Sequence, residues 1–197
     1  MQKAALGIVL IFLLGIIFSG AQTQKSHEVT SAKEDAAPTL TVCEALSHPS
    51  EYDGKIVRIS DRIDGTDEWT AFVGNDCPQI LVTEGKVWPS KIVWEMPANL
   101  DLTIHPVYFT FNEDSQKRLG EKWDHIKDKV DATCAAFTYT GLFEVWSKAK
   151  ARKTAPGGWV EFSGFGHLSG SGARLILKSA DDVAPISNCK PKKRDAQ

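Results

Sequence analysis

No two cysteines and no two histidines of this sequence stand at metal-ligand spacing. Cys43, Cys77, Cys134 and Cys189 are 34, 57 and 55 positions apart, which excludes a C-x-x-C zinc site or a near-neighbour redox pair. His27, His48, His105, His125 and His167 are scattered, with no H-x-H or H-x-x-x-H pair. The acidic stretch DRIDGTDE (61–68) lacks the twelfth-position glutamate of a calcium loop. No metal and no cofactor is expected. Basic surplus is missing too. Against 25 acidic residues stand 23 lysines and arginines, a formal charge of −2. Loss of Lys3 with a cleaved leader moves it to −3. Affinity for nucleic acid comes from a basic surface, so no nucleic-acid partner is expected. The longest apolar run, Leu6–Phe18, is shorter than the roughly 20 residues of a membrane span. No cysteine lies near residue 21 to carry a lipid. There is no internal repeat.

What is there organises the chain into four parts. Lys3, the apolar run and the small residues Ser19-Gly20-Ala21 read as a signal peptide over 1–21. Residues 22–38 are polar and read as a disordered leader. A single domain follows over 39–188, and 189–197 is a basic tail containing KPKKR. The expected location is secreted or periplasmic, with no membrane span after cleavage. Four cysteines in an exported chain point to two disulfides. Three connectivities remain open.

The domain reads as mainly β. TVCE makes a capping box for a short helix over Leu40–Leu46, and Pro49 limits it. Lys55–Asp64 alternates as a half-buried strand, with Asp61 on the apolar face marking a bend or bulge. Trp69–Val73 and Gln79–Thr83 read as the next two strands, joined by a hairpin at Gly74–Pro78. Residues 84–133 read as an insertion, holding a strand at Ile104–Phe111 and an amphipathic helix over Ser115–Val130. The helix stripe is Leu119, Trp123, Ile126 and Val130. Cys134–Trp146 alternates with Gly141 in mid-strand, and Ala173–Ser179 is the last strand. Five strands with a helix between the third and fourth predict a five-stranded OB-like barrel.

The pieces TVCEALSHPSEYDGKIVRIS, NDCP and GFGHLSGSGARL resemble a recurring pattern in secreted bacterial OB-fold-like proteins of unknown function. Its marks are a cysteine helix, a YDGK first strand, an Asp-Cys hairpin and a GFGH loop. This sequence has Asp61 where that group commonly has glycine. The resemblance implies a fold and a compartment, not a reaction or a catalytic set.

Three chemistries compete for the remaining residues. In SGFGHLSGSG the glycine spacing is one residue longer than a dinucleotide fingerprint. No lysine lies in the loop, and a strand rather than a helix follows, so phosphate cradling is excluded. His167 has Ser169, Ser171, Asp181 and Asp182 near in sequence but no G-x-S-x-G elbow. It reads as a turn residue between the last two strands, with a hydrolase centred on it as a third reading. No catalytic residue is assigned. The six tryptophans fill cores or form stacking platforms. Trp69, Trp88, Trp94 and Trp159, with His167, are the candidate ligand-binding residues. The expected function is a noncatalytic binding or structural module for an unknown small molecule, glycan or protein. The alternative is a carbohydrate- or peptide-binding protein using the loop tryptophans.

Overall fold

The computed structural model describes residues 37–66, 69–74, 77–78, 80–100, 107–148, 164–166 and 170–191, apart from the side chains of Thr66 and Trp69. The chain falls into two units, Met1–Ala32 and Lys33–Gln197, and the described residues all belong to the second. The signal peptide expected at 1–21, the leader up to residue 36, Trp159, His167 and the end of the basic tail lie outside the described residues.

The first described element, β1 (Thr39–Leu40), pairs in parallel with Arg58 and Ile59. The Pro38 carbonyl accepts from the Arg58 N–H at 2.9 Å. Helix α1 (Val42–Ser47) begins where the sequence signals it. Thr41 accepts from the Glu44 N–H, and Glu44 accepts from the Thr41 N–H at 2.7 Å. Two of the orphan donors at the helix start are thus satisfied reciprocally. Pro49 opens a separate turn, α2 (Pro49–Tyr52), as its fixed φ allows at a first helical position.

Strand β2 (Lys55–Thr66) is the longest run of the first half. It changes partner at Asp61. Lys55–Asp61 pair with β7 (Ala135–Val145), and Arg62–Thr66 pair with β3 (Trp69–Val73). The handover falls at Asp61, the position expected to mark a bend or bulge. The Asp61 carboxylate accepts the Arg62 N–H at 2.9 Å and the Val42 N–H at 3.1 Å. It thereby ties the start of α1 to β2 at the handover. Burial raises the Asp61 carboxyl above its ordinary value, outweighing the two backbone donors, which lower it.

The third barrel strand is not Gln79–Thr83. It is β6 (Lys91–Glu95), which pairs antiparallel with β3 through Ala71–Val73. This strand lies inside the stretch expected as an insertion. Of the described residues of the expected strand, 80–83, only Val82–Thr83 (β4) are extended, in a small hairpin with β5 (Lys86–Val87). The displacement has two causes. Cys77 is tied to Cys43, which carries the chain away from β3. The run KIVWE then supplies the β-branched and aromatic alternation that a buried strand needs. Val107–Asn112 are not extended as a strand, so the described part of the expected Ile104–Phe111 strand is absent. Pro106 precedes this part and cannot donate to a ladder.

Helix α3 (Glu113–Ile126) follows, capped by Asn112, which accepts from the Ser115 N–H at 3.1 Å. Its apolar stripe packs on the core as expected, with Leu119 buried and Trp123 and Ile126 half-buried. The last strand, β8 (Ala173–Pro185), runs antiparallel to β7 and parallel to β6. It extends past the expected end at Ser179 because Asp181 is bonded within the sheet and Val183 is buried. The strand order β2-β3-β6-β8-β7, with β7 returning to β2, closes the barrel. That circuit, with a helix between its third and fourth strands, is the OB plan.

Each strand contributes to one core: Val57 and Ile59, Phe72, Ile92, Tyr139 and Phe143, Leu175 and Leu177. Closure needs tight approach at Gly141, where an added Cβ would stand 2.3 Å from the Ile176 carbonyl oxygen. Two register shifts on β7, between Thr138 and Tyr139 and between Thr140 and Gly141, lead into it, as a sharply coiled strand requires. All four cysteines are paired, Cys43 with Cys77 and Cys134 with Cys189. The first bridge ties α1 to the loop after β3; the second ties the start of β7 to the segment after β8. Arg174, buried on β8, is held between Glu95 of β6 and Glu144 of β7, each within 2.7 Å. The two carboxylates supply the compensation that a buried guanidinium needs.

Candidate aromatic cleft beneath helix α3

Alternation along β6 puts Ile92 and Trp94 on one face. Ile92 is fully buried, and Trp94 follows it to the edge of the core. The Trp94 ring meets Tyr139 edge-on at 5.0 Å and Phe72 at 6.4 Å. Alternation along β7 places Phe137 and Tyr139 together, and α3 brings Trp123 to 5.4 Å from Phe137. Between α3 and these strands lies a cleft of about 360 Å³. Its walls include Ile63, Trp94, Gln116, Trp123, Phe137 and Tyr139.

The cleft is apolar with one polar pair. The Tyr139 hydroxyl donates to Gln116 Oε1 at 3.4 Å. Burial pushes the Tyr139 phenol up to about 12, so it stays neutral and serves as a donor, not as a base. Gly120 also lines the cleft, in mid-helix. A Cβ there would meet nothing within 4 Å. Packing therefore does not require this glycine, although glycine in a helix interior costs about 1 kcal/mol against alanine. Its effect is to keep that wall of the cleft low.

The tryptophan candidates separate. Trp94 lies in the cleft. Trp88 does not reach a surface. It is 1% exposed, and its indole N–H donates to Thr83 Oγ1 at 2.7 Å. Its ring lies against Trp146 at 5.7 Å, with the Lys86 ammonium 3.6 Å from the ring centroid. Gly172, having no side chain, makes the slot that admits the indole. Trp88 is a core residue and not the exposed ligand platform expected of it. Trp69 opens β3 opposite Thr66. Trp159 and His167 lie outside the described residues.

Sequence reasoning missed Trp123, Phe137, Tyr139, Gln116 and Gly120 as members of one site. The helix stripe and the β7 alternation were both readable signals. What joins them is β6, which lies within the stretch expected as an insertion. Among the described residues no group of three or more His, Cys, Asp or Glu side chains is placed to hold a metal. Among the same residues no helix is long and apolar enough to cross a membrane.

Fold and cleft together define an OB-like barrel, closed through its first and fourth strands, with an aromatic cleft under its helix. The chain matches no protein-family model, no curated protein and no solved structure.

Proposed function

We propose that this chain is an exported, noncatalytic binding module. Its ligand contact is the Trp94 cleft, and the group it takes is an apolar or aromatic side chain of a peptide. The observation that carries this reading is the lining, in which four aromatic rings meet a glycine that no packing demands. The volume falls at the lower end of the range of small-molecule sites. A sugar needs several hydrogen-bond partners around its ring. The cleft offers Gln116 and the Tyr139 hydroxyl, which favours an apolar group over a glycan. Neither a nucleophile paired with a base nor a pair of acids lines it, so its chemistry suits binding rather than catalysis.

Two disulfides support an oxidising compartment. The apolar segment over residues 6–18 and the likeness to secreted OB-like proteins support the same placement.

The test uses N-acetyl-tryptophanamide as probe and methyl glucoside as comparison, followed by NMR of the Trp94 and Trp123 indole N–H signals. The amide gives saturable shifts in the millimolar range and the glucoside gives none. Gly120→Leu fills the cleft and abolishes the shifts. Gly120→Ala keeps the shifts and stabilises the helix by about 0.5–1 kcal/mol. Shifts that survive Gly120→Leu, or that the glucoside alone produces, sink the proposal.

A further inference from the structure

A second cleft, of about 480 Å³, lies on the barrel wall where β2, β7 and β8 run side by side. Its lining includes Arg58, Phe109, Thr140, Lys178, Ser179 and Asp181, none of which lines the Trp94 cleft. Asp181 is the fixed point. It accepts hydrogen bonds from the hydroxyls of Thr140 and Ser179. Arg58 Nε stands 3.4 Å from the same carboxylate. That nitrogen is buried, yet its geometry makes no hydrogen bond. The pair is thus a charge contact at Nε without a hydrogen bond from that nitrogen. It is the one polar contact of the Arg58 side chain among the described residues. Arg58 and Lys178 both line this cleft beside Asp181.

We propose that this cleft binds an oxyanion, either a phosphate ester or a carboxylate, on the terminal nitrogens of Arg58 with Lys178 as the second cation. A guanidinium offers planar paired donors that match both groups bidentately. The hydroxyls of Thr140 and Ser179 are committed to Asp181, so they hold the arginine's anchor rather than the ligand. Phe109 gives the cleft a flat apolar wall, and the Lys178 ammonium lies 5.7 Å from its ring. That wall suits an anion carried on a planar or apolar body over a bare inorganic ion.

The experiment titrates the purified protein with phenyl phosphate and, separately, with benzoate, using benzyl alcohol as the neutral control. The readout is the Arg58 side-chain nitrogen resonances. At least one anion shifts them saturably, and benzyl alcohol does not. Phosphate alone assigns a phosphate ester, and benzoate alone assigns a carboxylate; either result supports the site. Arg58→Gln weakens binding at least tenfold, the scale of one charge-assisted contact. Arg58→Lys, which keeps the charge but not the fork, binds at an intermediate level. Lys178→Gln weakens binding and, with the wild-type resonances, decides the matter if Arg58→Gln does not fold. Resonances that move with neither anion, or Arg58→Gln binding as tightly as wild type, overturn the proposal. Gly120→Leu leaves this binding unchanged, so failure of one cleft is distinguishable from failure of the other.

Discussion

Gly172→Ala should be among the most damaging single-methyl additions to this barrel, and the structure says by how much. Gly172 does not occupy the left-handed backbone region, so alanine fits the main chain and the cost is steric. The new Cβ would stand 2.5, 2.6 and 2.7 Å from three atoms of the Trp88 ring. Carbon atoms pack at about 3.5–4.0 Å, so the ring must retreat by about 1 Å. It has nowhere to go. It is buried, bounded by Trp146, and bonded through its N–H to Thr83. Overpacking costs about 1–3 kcal/mol, and a strained or lost indole hydrogen bond adds about 1 kcal/mol. The expected loss is about 2–4 kcal/mol. Urea unfolding followed by far-ultraviolet circular dichroism measures it, with an unchanged m-value confirming that the folded state is the one affected. A double-mutant cycle then isolates the cause. In a Trp88→Phe background the smaller ring leaves room, and the cost of Gly172→Ala falls by about 1 kcal/mol or more. An equal cost in both backgrounds, or a wild-type cost under about 0.5 kcal/mol, refutes the steric reasoning.

Two further outcomes follow from the covalent and charged parts of the fold. Replacing Cys134 and Cys189 together by serine opens a bridge of sequence separation 55. Loop entropy sets the expected loss at about 4 kcal/mol, read from urea midpoints, and a loss below about 1 kcal/mol would contradict that account. For Asp61 the folded carboxyl is raised above its ordinary value. The favourable term is therefore fully present at pH below the unfolded value and disappears as pH rises through the folded one. Asp61→Asn removes this titration, so the stability difference between variant and wild type shifts in favour of the variant as pH rises across that window. Midpoints measured at a series of pH values check it, and a difference that stays flat from acid to neutral pH counts against a desolvated Asp61.

Much of the barrel was readable because its signals are local. The capping box at Thr41 and Glu44, the alternation in β2 and β7 and the stripe on α3 each lie within a few residues of one another. β6 was not readable in the same way. It is five residues long and sits between Pro89 and Pro97. What defines it is pairing to β3 on one side and to β8, far along the chain, on the other. The aromatic cleft inherits that difficulty, since Trp94 joins Trp123 and Tyr139 only once β6 is placed. Trp88 fails for a related reason. Its neighbours in sequence suggest a loop, and the slot that buries it is made by Gly172, a glycine that local reading treats as a turn residue. The partner of Arg58, likewise, lies on β8 beyond the point where alternation stopped being clear.

The handover of β2 at Asp61 also sets an order of events during synthesis. The first half of β2 has its wall partner in Phe137–Phe143, and β8 must then slot between β6 and β7. A ribosome that has made only the first three barrel strands has made an open ribbon with an unpaired edge. Closure waits for chain that emerges near the end, and such distant pairing is intrinsically slow. For the exported chain proposed above, that delay would keep the polypeptide threadable until almost all of it exists, and would leave ring closure until after translocation.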